Sequence, residues 1–303
     1  KRRSDDLETT ILQLYSKGIT TSEIADLMEK MYGHAYTPQT ISNITQAVEE
    51  HVEAFHKRRL NKRYVAVFCD ATYLNVRRDS VSKEALHVLA GITQEGIKEV
   101  IDYRIFPQES SENYREMLLD IQSRGAHEIL LFVSDGLTGF KDACTEIYPQ
   151  AMHQSCWVHV QRNIARLVRA KDRKEILDLL KPVYQASDKL AAEEALSHFN
   201  LQVSHRYPKV VKLLNQNQSL FSFMFFPKSI QRSLYTTNLL EGMNKQLKRQ
   251  TKRKEQFPNE AALDRFICNQ MMEYNQRFSR RIHKGFDLVQ TEIAEMFENQ
   301  YES

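Results

Sequence analysis

The chain has 303 residues, of which 42% are hydrophobic and 27% charged, and its formal net charge at pH 7 is +3. This composition is that of an ordinary globular protein and excludes a fibrous, low-complexity or intrinsically disordered chain. The length exceeds that of one compact core, so we expect a principal domain with smaller modules. A net charge of +3 does not by itself indicate nucleic-acid binding. With only 9 glycines and 7 prolines, long helices should dominate over tight turns.

Residues 5–54 carry apolar side chains at helical spacing and predict three amphipathic helices. Thr21 and Thr37 are the predicted N-caps of the second and third helix. The segment resembles a helix-turn-helix unit, although a small bundle that only packs is an alternative. In a helix-turn-helix unit the third helix would reach base edges in a major groove. The residues expected to do so are Gln39, Ser42, Asn43 and Gln46. A basic linker is predicted at residues 56–63.

From residue 64 the pattern changes from helical to strand-like. The predicted elements are strands at 64–76, 84–93 and 98–106, a helix at 111–124, a strand at 128–134, a helix at 139–148 and a strand at 151–155. The order βββαβαβ is the ribonuclease-H-like topology, an α/β fold with a mixed sheet whose later strands are parallel. From residue 158 onward the chain is predicted to be almost entirely helical.

These patterns divide the chain into segments with different expected roles. The expected segments are an N-terminal helix-turn-helix-like domain at residues 1–59, the first part of a ribonuclease-H-like core at 60–158, an all-α insertion domain at 159–230, and the second part of the core with C-terminal helices at 231–303. The four cysteines form no Cys-x-x-Cys pair, which fits a reducing cytosol better than a disulfide framework or a four-cysteine zinc site. No export signal or membrane-length apolar run is seen, so a cytoplasmic protein without a membrane partner is expected.

Two aspartates lie at the expected positions for a site in such a sheet. Asp70 is within residues 65–71, a β-branched and aromatic run typical of a central strand. A carboxylate buried there should be paired, protonated or bound to a metal. Asp135 follows the strand at 128–134, at the end where open α/β sheets place ligand-binding groups. The alternatives are an Asp70 bonded to backbone or basic groups, and an Asp135 that only forms a turn with Gly136.

Glu241 lies near the start of a predicted helix that continues through residue 254. A capping box with Asn238 or an i,i+4 ion pair with Lys245 would also explain this glutamate. Its helical stripe continues with the cations Lys245, Lys248 and Lys252, and a second, apolar stripe is formed by Leu240, Met243 and Leu247. Residues 228–254 contain eight Lys or Arg against this single acid, which makes the segment a basic patch.

The three acids together predict a two-metal centre. Two Mg²⁺ ions about 3.5–4 Å apart take oxygen ligands, and acids from two strands and one helix can supply them. One ion activates water or a DNA 3′-hydroxyl and the other stabilises the departing oxygen, which gives in-line displacement at a phosphodiester. Asp70, Asp135 and Glu241 are therefore the predicted catalytic and metal-binding residues, with Mn²⁺ expected to substitute for Mg²⁺.

Four segments in order carry a more specific signal. They are DATYLNVR at Asp70, SDGLTGFKDA at Asp135, CWVH at residues 156–159 and TTNLLEGMNKQLKR at Glu241. Together they resemble the mutator-type bacterial insertion-sequence transposases over most of residues 60–255. The resemblance implies that the three acids are an Asp-Asp-Glu catalytic triad and that the helical block before Glu241 is the family's insertion domain. It further implies that the protein cleaves transposon ends and joins them to target DNA.

The resemblance also implies partners. Double-stranded DNA is expected, both the terminal inverted repeats and the target, together with a homodimer in the DNA complex and a location at the bacterial nucleoid. Family members usually have further residues before the position where this sequence begins, so part of the end-recognition apparatus is expected there. The expected DNA contacts outside the helix-turn-helix unit are Arg77, Cys156, Trp157, His159, Arg162, Lys245, Lys248, Arg249 and Lys252.

The Cys-x-x-His element of the resemblance is formed by Cys156 and His159, with His153 nearby. A structural zinc site needs four ligands, so packing or DNA contact is the favoured role for these three candidates. Trp157 is expected either to stack on an unpaired base or to be part of the core. A cationic stripe that either contacts phosphates or is solvated follows at Arg162, Arg166 and Arg169.

Two other functions are compatible with these motifs. One is a ribonuclease-H-like nuclease or resolvase that cuts DNA without strand transfer, and the other is a non-catalytic, transposase-derived DNA-binding protein. Three acids in ordered positions argue against the non-catalytic protein. Joining of a cut 3′ end to a second duplex distinguishes a transposase from a nuclease.

Overall fold

The computed structural model describes residues 10–15, 19–33, 37–77, 81–106, 110–251, 257 and 260–302. Its strands are β1 (Arg63–Arg77), β2 (Val81–Thr93), β3 (Lys98–Phe106), β4 (Glu128–Ser134) and β5 (Met152–Ser155). They form a five-stranded sheet in the order β3-β2-β1-β4-β5. β1 and β3 each pair with β2 in antiparallel fashion, whereas β4 lies parallel to β1 and to β5. The predicted mixed α/β sheet is therefore confirmed.

Helices precede, interrupt and follow the sheet. They are α1 (Thr21–Tyr32), α2 (Pro38–Lys57), α3 (Ser111–Ser123), α4 (Phe140–Ile147), α5 (Trp157–Leu167), α6 (Arg173–Tyr184), α7 (Lys189–Val203), α8 (Pro208–Asn215), α9 (Lys228–Leu234), α10 (Asn238–Thr251), α11 (Glu260–Phe278) and α12 (Gln290–Tyr301). Residues 10–15 are also helical. Between residues 63 and 155 the order of elements is βββαβαβ, as predicted. None of the described helices combines the length and apolar character needed to cross a bilayer.

Local sequence signals fix several helix starts. The N-cap of α1 is Thr20, whose side chain accepts from the Glu23 N–H while Glu23 accepts from the Thr20 N–H in a capping box. The prediction of Thr21 as this cap was therefore wrong by one residue, because Glu23 stands three residues after Thr20 and not after Thr21. Thr37 caps α2 as predicted, and Pro38 occupies the first position of that helix.

The linker predicted at residues 56–63 is wrong in its first part, since α2 continues to Lys57. Nδ1 of His56 lies 2.8 Å from Oδ1 of Asp102 on β3, and the Asp102 side chain is fully buried. Arg58 donates to the carbonyl oxygens of Val100 and Ile101 on β3. These basic side chains are held by the sheet, which explains why the segment does not behave as a free linker.

The sheet separates two hydrophobic cores. Successive residues of a strand point to opposite faces, so Phe68 enters one core and Val67 the other. The Val67 side is covered by α3 and α4, which contribute residues such as Leu118 and Phe140. The Phe68 side is covered by helices that follow β5, and every residue of β4 is buried between the two layers. Asp70 lies on the Phe68 face, where the later helices approach the sheet.

Candidate metal centre

Two carboxylates lie side by side where the middle of β1 passes the carboxyl end of β4. β1 and β4 pair with Cys69 opposite Ser134, so the next residues are Asp70, still within β1, and Asp135, immediately after β4. His159, in the first turn of α5, joins them: one ligand atom from each of these three residues lies within 4.8 Å of the others. The predicted meeting of Asp70 and Asp135 is thus present, and a histidine is added to it.

Asp70 is almost buried, with 6% of its surface exposed. Its Oδ1 accepts from the Ala71 N–H at 3.0 Å, and its Oδ2 accepts from the Asn244 side-chain amide at 2.8 Å. The pKa of Asp70 is raised to about 6: burial is the main cause and the charge of Glu241 adds to it, whereas these two hydrogen bonds and the charge of Lys248 lower the pKa. Burial thus outweighs the two hydrogen bonds, and a cation beside Asp70 would favour its charged form.

Glu241 lies in the first turn of α10 with only 14% of its side chain exposed. Its Oε1 is 2.7 Å from a guanidinium nitrogen of Arg162 on α5. Neither the capping box with Asn238 nor the ion pair with Lys245 accounts for this carboxylate, because Arg162 is its charged partner. Glu241 is near enough to raise the pKa of Asp70, yet it is not a member of the Asp70, Asp135 and His159 group.

His159 links this group to Arg162. Its Nε2 lies 3.9 Å from Oδ2 of Asp135 and 3.1 Å from an Nη atom of Arg162. Burial lowers the pKa of His159, and the charge of Arg162 lowers it further. A neutral imidazole keeps a lone pair for a metal. The sequence singled out His159 only as a zinc or DNA candidate, although its place in the helix that follows β5 was a signal for proximity to Asp135.

Asn244 was not singled out from the sequence. It is 7% exposed and lies on the turn of α10 that follows Glu241. Its amide nitrogen donates to Asp70, whereas its Oδ1 is buried without a hydrogen-bond partner among the described residues. The sequence contained one indication of this role: Asn244 follows Glu241 by three residues, so the two side chains are neighbours on one face of the helix.

Cys156 forms hydrogen bonds inside the protein. Its N–H donates to the Ser134 carbonyl at 2.7 Å, and its Sγ lies 3.3 Å from the Thr237 hydroxyl and accepts from the Thr237 N–H. Cys156 is 1% exposed, so its thiol does not face solvent, and its hydrogen bonds connect the end of β4 with the start of α10. His153 lies on β5 and bonds to the Ser134 hydroxyl at 2.9 Å, outside the group that contains His159.

Trp157 is part of the core. Its indole is 0% exposed, and its Nε1 donates to the Leu220 carbonyl at 2.9 Å. Tyr184 and Phe221 pack against it, with ring centroids 5.3 Å and 6.1 Å away. Of the two roles expected for Trp157, this conformation supports packing, because base stacking needs an exposed ring face.

The other residues expected to contact DNA are exposed on α2, α5 and α10 or lie outside the described residues. Gln39 and Asn43 are exposed on α2, where the Gln39 amide donates to Asn43 at 3.1 Å. Leu240, Met243 and Leu247 are buried beneath α10, so this helix turns its cationic side outward. Exposed cations are contributed by Arg162, Lys245, Lys248 and Arg249. The side chains of Ser42, Gln46 and Arg77, and the whole of Lys252, lie outside the described residues.

Known proteins resemble this chain along most of its length. The transposase for insertion sequence element IS905 of Lactococcus lactis subsp. lactis (strain IL1403) is 42% identical over 297 residues, which cover 98% of this chain and 76% of that protein. The transposase for insertion sequence element IS1201 of Lactobacillus helveticus is 44% identical over 275 residues, covering 90% and 74%.

A solved structure, the Drosophila P element transposase strand transfer complex, aligns with 98% of this chain and 85% of that chain at 12% identity. Its TM-score of 0.36 is too low to establish a shared fold. The family model described as Transposase, Mutator family, by contrast, matches residues 1–281. With that match and the two relatives above 40% identity, the chain belongs to the Mutator family of transposases.

Proposed function

We propose that this transposase cleaves DNA at the ends of its element and joins them to target DNA by metal-dependent phosphoryl transfer, with Asp70, Asp135 and Glu241 as catalytic residues. The observation that carries the proposal is the meeting of Asp70, in the middle of β1, with Asp135, just after β4, and with His159: one ligand atom from each lies within 4.8 Å of the others. Membership of a transposase family indicates DNA transposition as the biological process, and clustered carboxylates can bind the metal ions that catalyse phosphoryl transfer.

The sheet supports a ribonuclease-H-like core as part of this proposal. Its order β3-β2-β1-β4-β5, with antiparallel first strands and parallel later strands, is the arrangement expected of that topology. We assign the core to residues 60–158 and 231–303, the insertion domain to 159–230 and an N-terminal DNA-binding domain to 1–59. α10 contacts β1. This contact brings Glu241, in the second core segment, near Asp70 and Asp135 in the first.

The residues present fit a divalent cation that prefers oxygen ligands. Two carboxylates and one imidazole nitrogen lie within 4.8 Å, and the buried Oδ1 of Asn244 stands beside Asp70 without a hydrogen-bond partner among the described residues. Mg²⁺ and Mn²⁺ accept such a donor set, whereas a structural zinc site would use Cys and His in a closed tetrahedron. When bound, the metal activates the attacking hydroxyl and stabilises charge on the departing oxygen.

Arg162 is the charged partner of Glu241 in this structure. Its guanidinium now pairs with Glu241 at 2.7 Å, while half of its side chain remains exposed to solvent. A DNA phosphate competes for this guanidinium because, like a carboxylate, it offers two oxygens in the bidentate geometry that Arg prefers. We propose that DNA draws Arg162 away from Glu241, which frees the glutamate to join Asp70 and Asp135 in binding metal.

Double-stranded DNA is the partner that the exposed cations favour. Lys245, Lys248 and Arg249 leave the outer side of α10 close to Glu241, so phosphates bound there would pass the proposed metal centre. The described residues form one such carboxylate group in each protein copy, and we expect one centre to act on each of two transposon ends. We therefore propose a homodimer in the complex with DNA.

The proposal is tested by incubating the purified protein with a labelled duplex of its transposon end and a target plasmid, with Mg²⁺ or EDTA. The isosteric variants Asp70→Asn and Asp135→Asn should lose joined product at least a thousandfold while binding the duplex as tightly as the wild type. Asp178→Asn, at an exposed acid of α6, is the matched control and should join DNA normally. Nicking without joining would favour a nuclease, and wild-type activity in either variant would remove that aspartate from the centre.

A further inference from the structure

A cavity of about 450 Å³ borders α10 beside Glu241, on the side of the helix that carries Gly242 and Gln246. Asn238, Gly242 and Gln246 of α10 form one wall, and residues of α11 form the opposite wall. Cavities that hold small organic ligands occupy roughly 300–1,000 Å³, so this one has room for a nucleotide-sized group. The metal centre proposed above does not use any of these residues.

The cavity is positively charged without compensation. Lys98, Arg232 and Arg277 line it, and none of the residues that line it is acidic. In the described part of the chain, no carboxylate forms an ion pair with any of these three cations. Burial lowers the pKa of Lys98, and the charge of Arg281 lowers it further. An anionic ligand bound among the three cations would stabilise the charge of Lys98, which is the partly buried one of the three.

One wall of the cavity is aromatic. The ring centroids of Tyr274 and Phe278 are 4.6 Å apart at an interplanar angle of 45°, and the Lys98 ammonium lies 4.3 Å from the Phe278 centroid. A free phosphate ion or a duplex backbone would use the cations only. Aromatic rings interleaved with cations are the arrangement that proteins use for unpaired nucleotides, whose bases stack while their phosphates bind Lys and Arg.

The position of the cavity relative to the metal centre is set by α10. Glu241 and Asn244 lie on one side of this helix and the cavity residues Gly242 and Gln246 on the other, with exposed Lys245 between them. A helix with its side chains is about 10–12 Å wide, so a DNA strand that crosses the exposed side of α10 reaches from one to the other within a few nucleotides.

We propose that this cavity binds an unpaired nucleotide of the DNA strand that is cut at the metal centre, with its phosphates on Lys98, Arg232 and Arg277 and its base against Tyr274. This proposal rests on the function proposed above, because it places the same DNA strand at both sites. It assigns to the cavity a role in holding an opened end of the transposon.

The test is fluorescence anisotropy of a short labelled single strand from the transposon end, measured in EDTA so that no metal contributes. Tyr274→Ala should weaken single-strand binding about tenfold, the loss typical of one stacked base, and should change binding of the blunt duplex less than twofold. Equal single-strand affinity in Tyr274→Ala and the wild type would overturn the proposal. Circular dichroism melting confirms that the variant is folded.

Exposed cations give a second measurement that does not depend on folding of the Tyr274 variant. Arg277→Gln should weaken single-strand binding and reduce the slope of log affinity against log salt by about 0.7. Arg280→Gln is the matched control, since Arg280 is also exposed but does not line the cavity. If Arg277→Gln loses no more affinity than Arg280→Gln, the cavity does not bind the strand.

These results separate the cavity from the proposed function. The cavity proposal alone would be wrong if the wild type joins DNA while Tyr274→Ala and Arg277→Gln bind the single strand normally. The phosphoryl-transfer proposal alone would be wrong if the wild type never joins DNA while both variants bind the single strand more weakly than the wild type. The cavity would then remain a nucleotide site.

Discussion

Asn244 donates its side-chain amide to Oδ2 of Asp70 at 2.8 Å, and this bond joins helix α10 to strand β1 at the candidate metal centre. Because Glu241 lies three residues earlier on the same helix, the position of α10 sets the distance of both side chains from Asp70. The amide also lowers the pKa of a carboxylate that burial raises to about 6. One hydrogen bond thus contributes to the geometry and to the charge of the proposed centre.

Removal of that bond should weaken metal binding. A hydrogen bond to a charged group contributes about 1.5–3 kcal/mol, so Asn244→Ala should reduce strand transfer roughly tenfold or more at limiting Mg²⁺. Because the defect lies in holding the cation, excess Mg²⁺ should restore most of the activity. The measurement is joined product as a function of Mg²⁺ concentration, with Asn163→Ala on α5 as the control. A loss that high Mg²⁺ leaves unchanged would assign Asn244 a purely structural role.

Arg162 should restrain Glu241 in the absence of DNA. Arg162→Gln removes the partner that lies 2.7 Å from the Glu241 carboxylate, so Mn²⁺ should bind the DNA-free variant several-fold more tightly than the wild type. The same variant should join DNA at least tenfold more slowly, because a phosphate contact is lost. Calorimetric Mn²⁺ titration and the joining assay measure the two effects, with Arg166→Gln as the control. Unchanged Mn²⁺ affinity would mean that the ion pair does not hold Glu241 back.

Trp157 should affect stability and leave DNA affinity unchanged. Replacement of a fully buried Trp by Ala typically costs about 3–5 kcal/mol of unfolding free energy, and Trp157→Phe should cost less because only the hydrogen bond to Leu220 and part of the ring are lost. Urea unfolding gives the stability, and anisotropy with the transposon-end duplex gives the affinity. A folded Trp157→Phe protein with a tenfold loss of DNA affinity would restore the base-stacking interpretation.

His87 should make the protein less stable in mild acid. Its imidazole is 0% exposed on β2, and burial lowers its pKa to about 4 from 6.5. Between these values the unfolded chain binds a proton that the folded protein does not, so this contribution to stability is present above pH 6.5 and is lost as the pH falls toward 4. His87→Phe should reduce the fall in unfolding free energy between pH 7 and pH 5 by about 1–2 kcal/mol.

The control for this prediction is His198→Phe, at an exposed histidine of α7. Urea unfolding at both pH values provides the comparison. An identical pH dependence in the wild type and in His87→Phe would show that His87 does not supply the proton linkage.

The strand pattern was readable from the sequence because apolar runs and their ends are local features. β4 was predicted at its observed bounds, and the parallel neighbours β1 and β4 then placed Asp70 near Asp135. The basic helix with its buried apolar stripe followed from the 3.6-residue period in the same way. These features depend on residues that are close together in the chain.

Contacts between distant segments were not readable in this way. The pairing of Glu241 with Arg162 requires α5 and α10 to approach one another, and the entry of His159 into the carboxylate group depends on the same packing. Burial of Trp157 depends on Leu220, far along the chain. Residue types at such positions show what chemistry is available, and only the packed structure shows which partner each residue has.

The central claim is that Asp70 and Asp135 form a divalent-metal centre, and Mn²⁺ binding observed by electron paramagnetic resonance tests it most directly. The wild type bound to transposon-end DNA should take up Mn²⁺, and Asp70→Asn and Asp135→Asn should each lose at least tenfold in affinity while Asp178→Asn binds normally. Equal Mn²⁺ binding by the wild type and both site variants would contradict the account, because the carboxylates that meet at the carboxyl end of β4 would then not hold the metal.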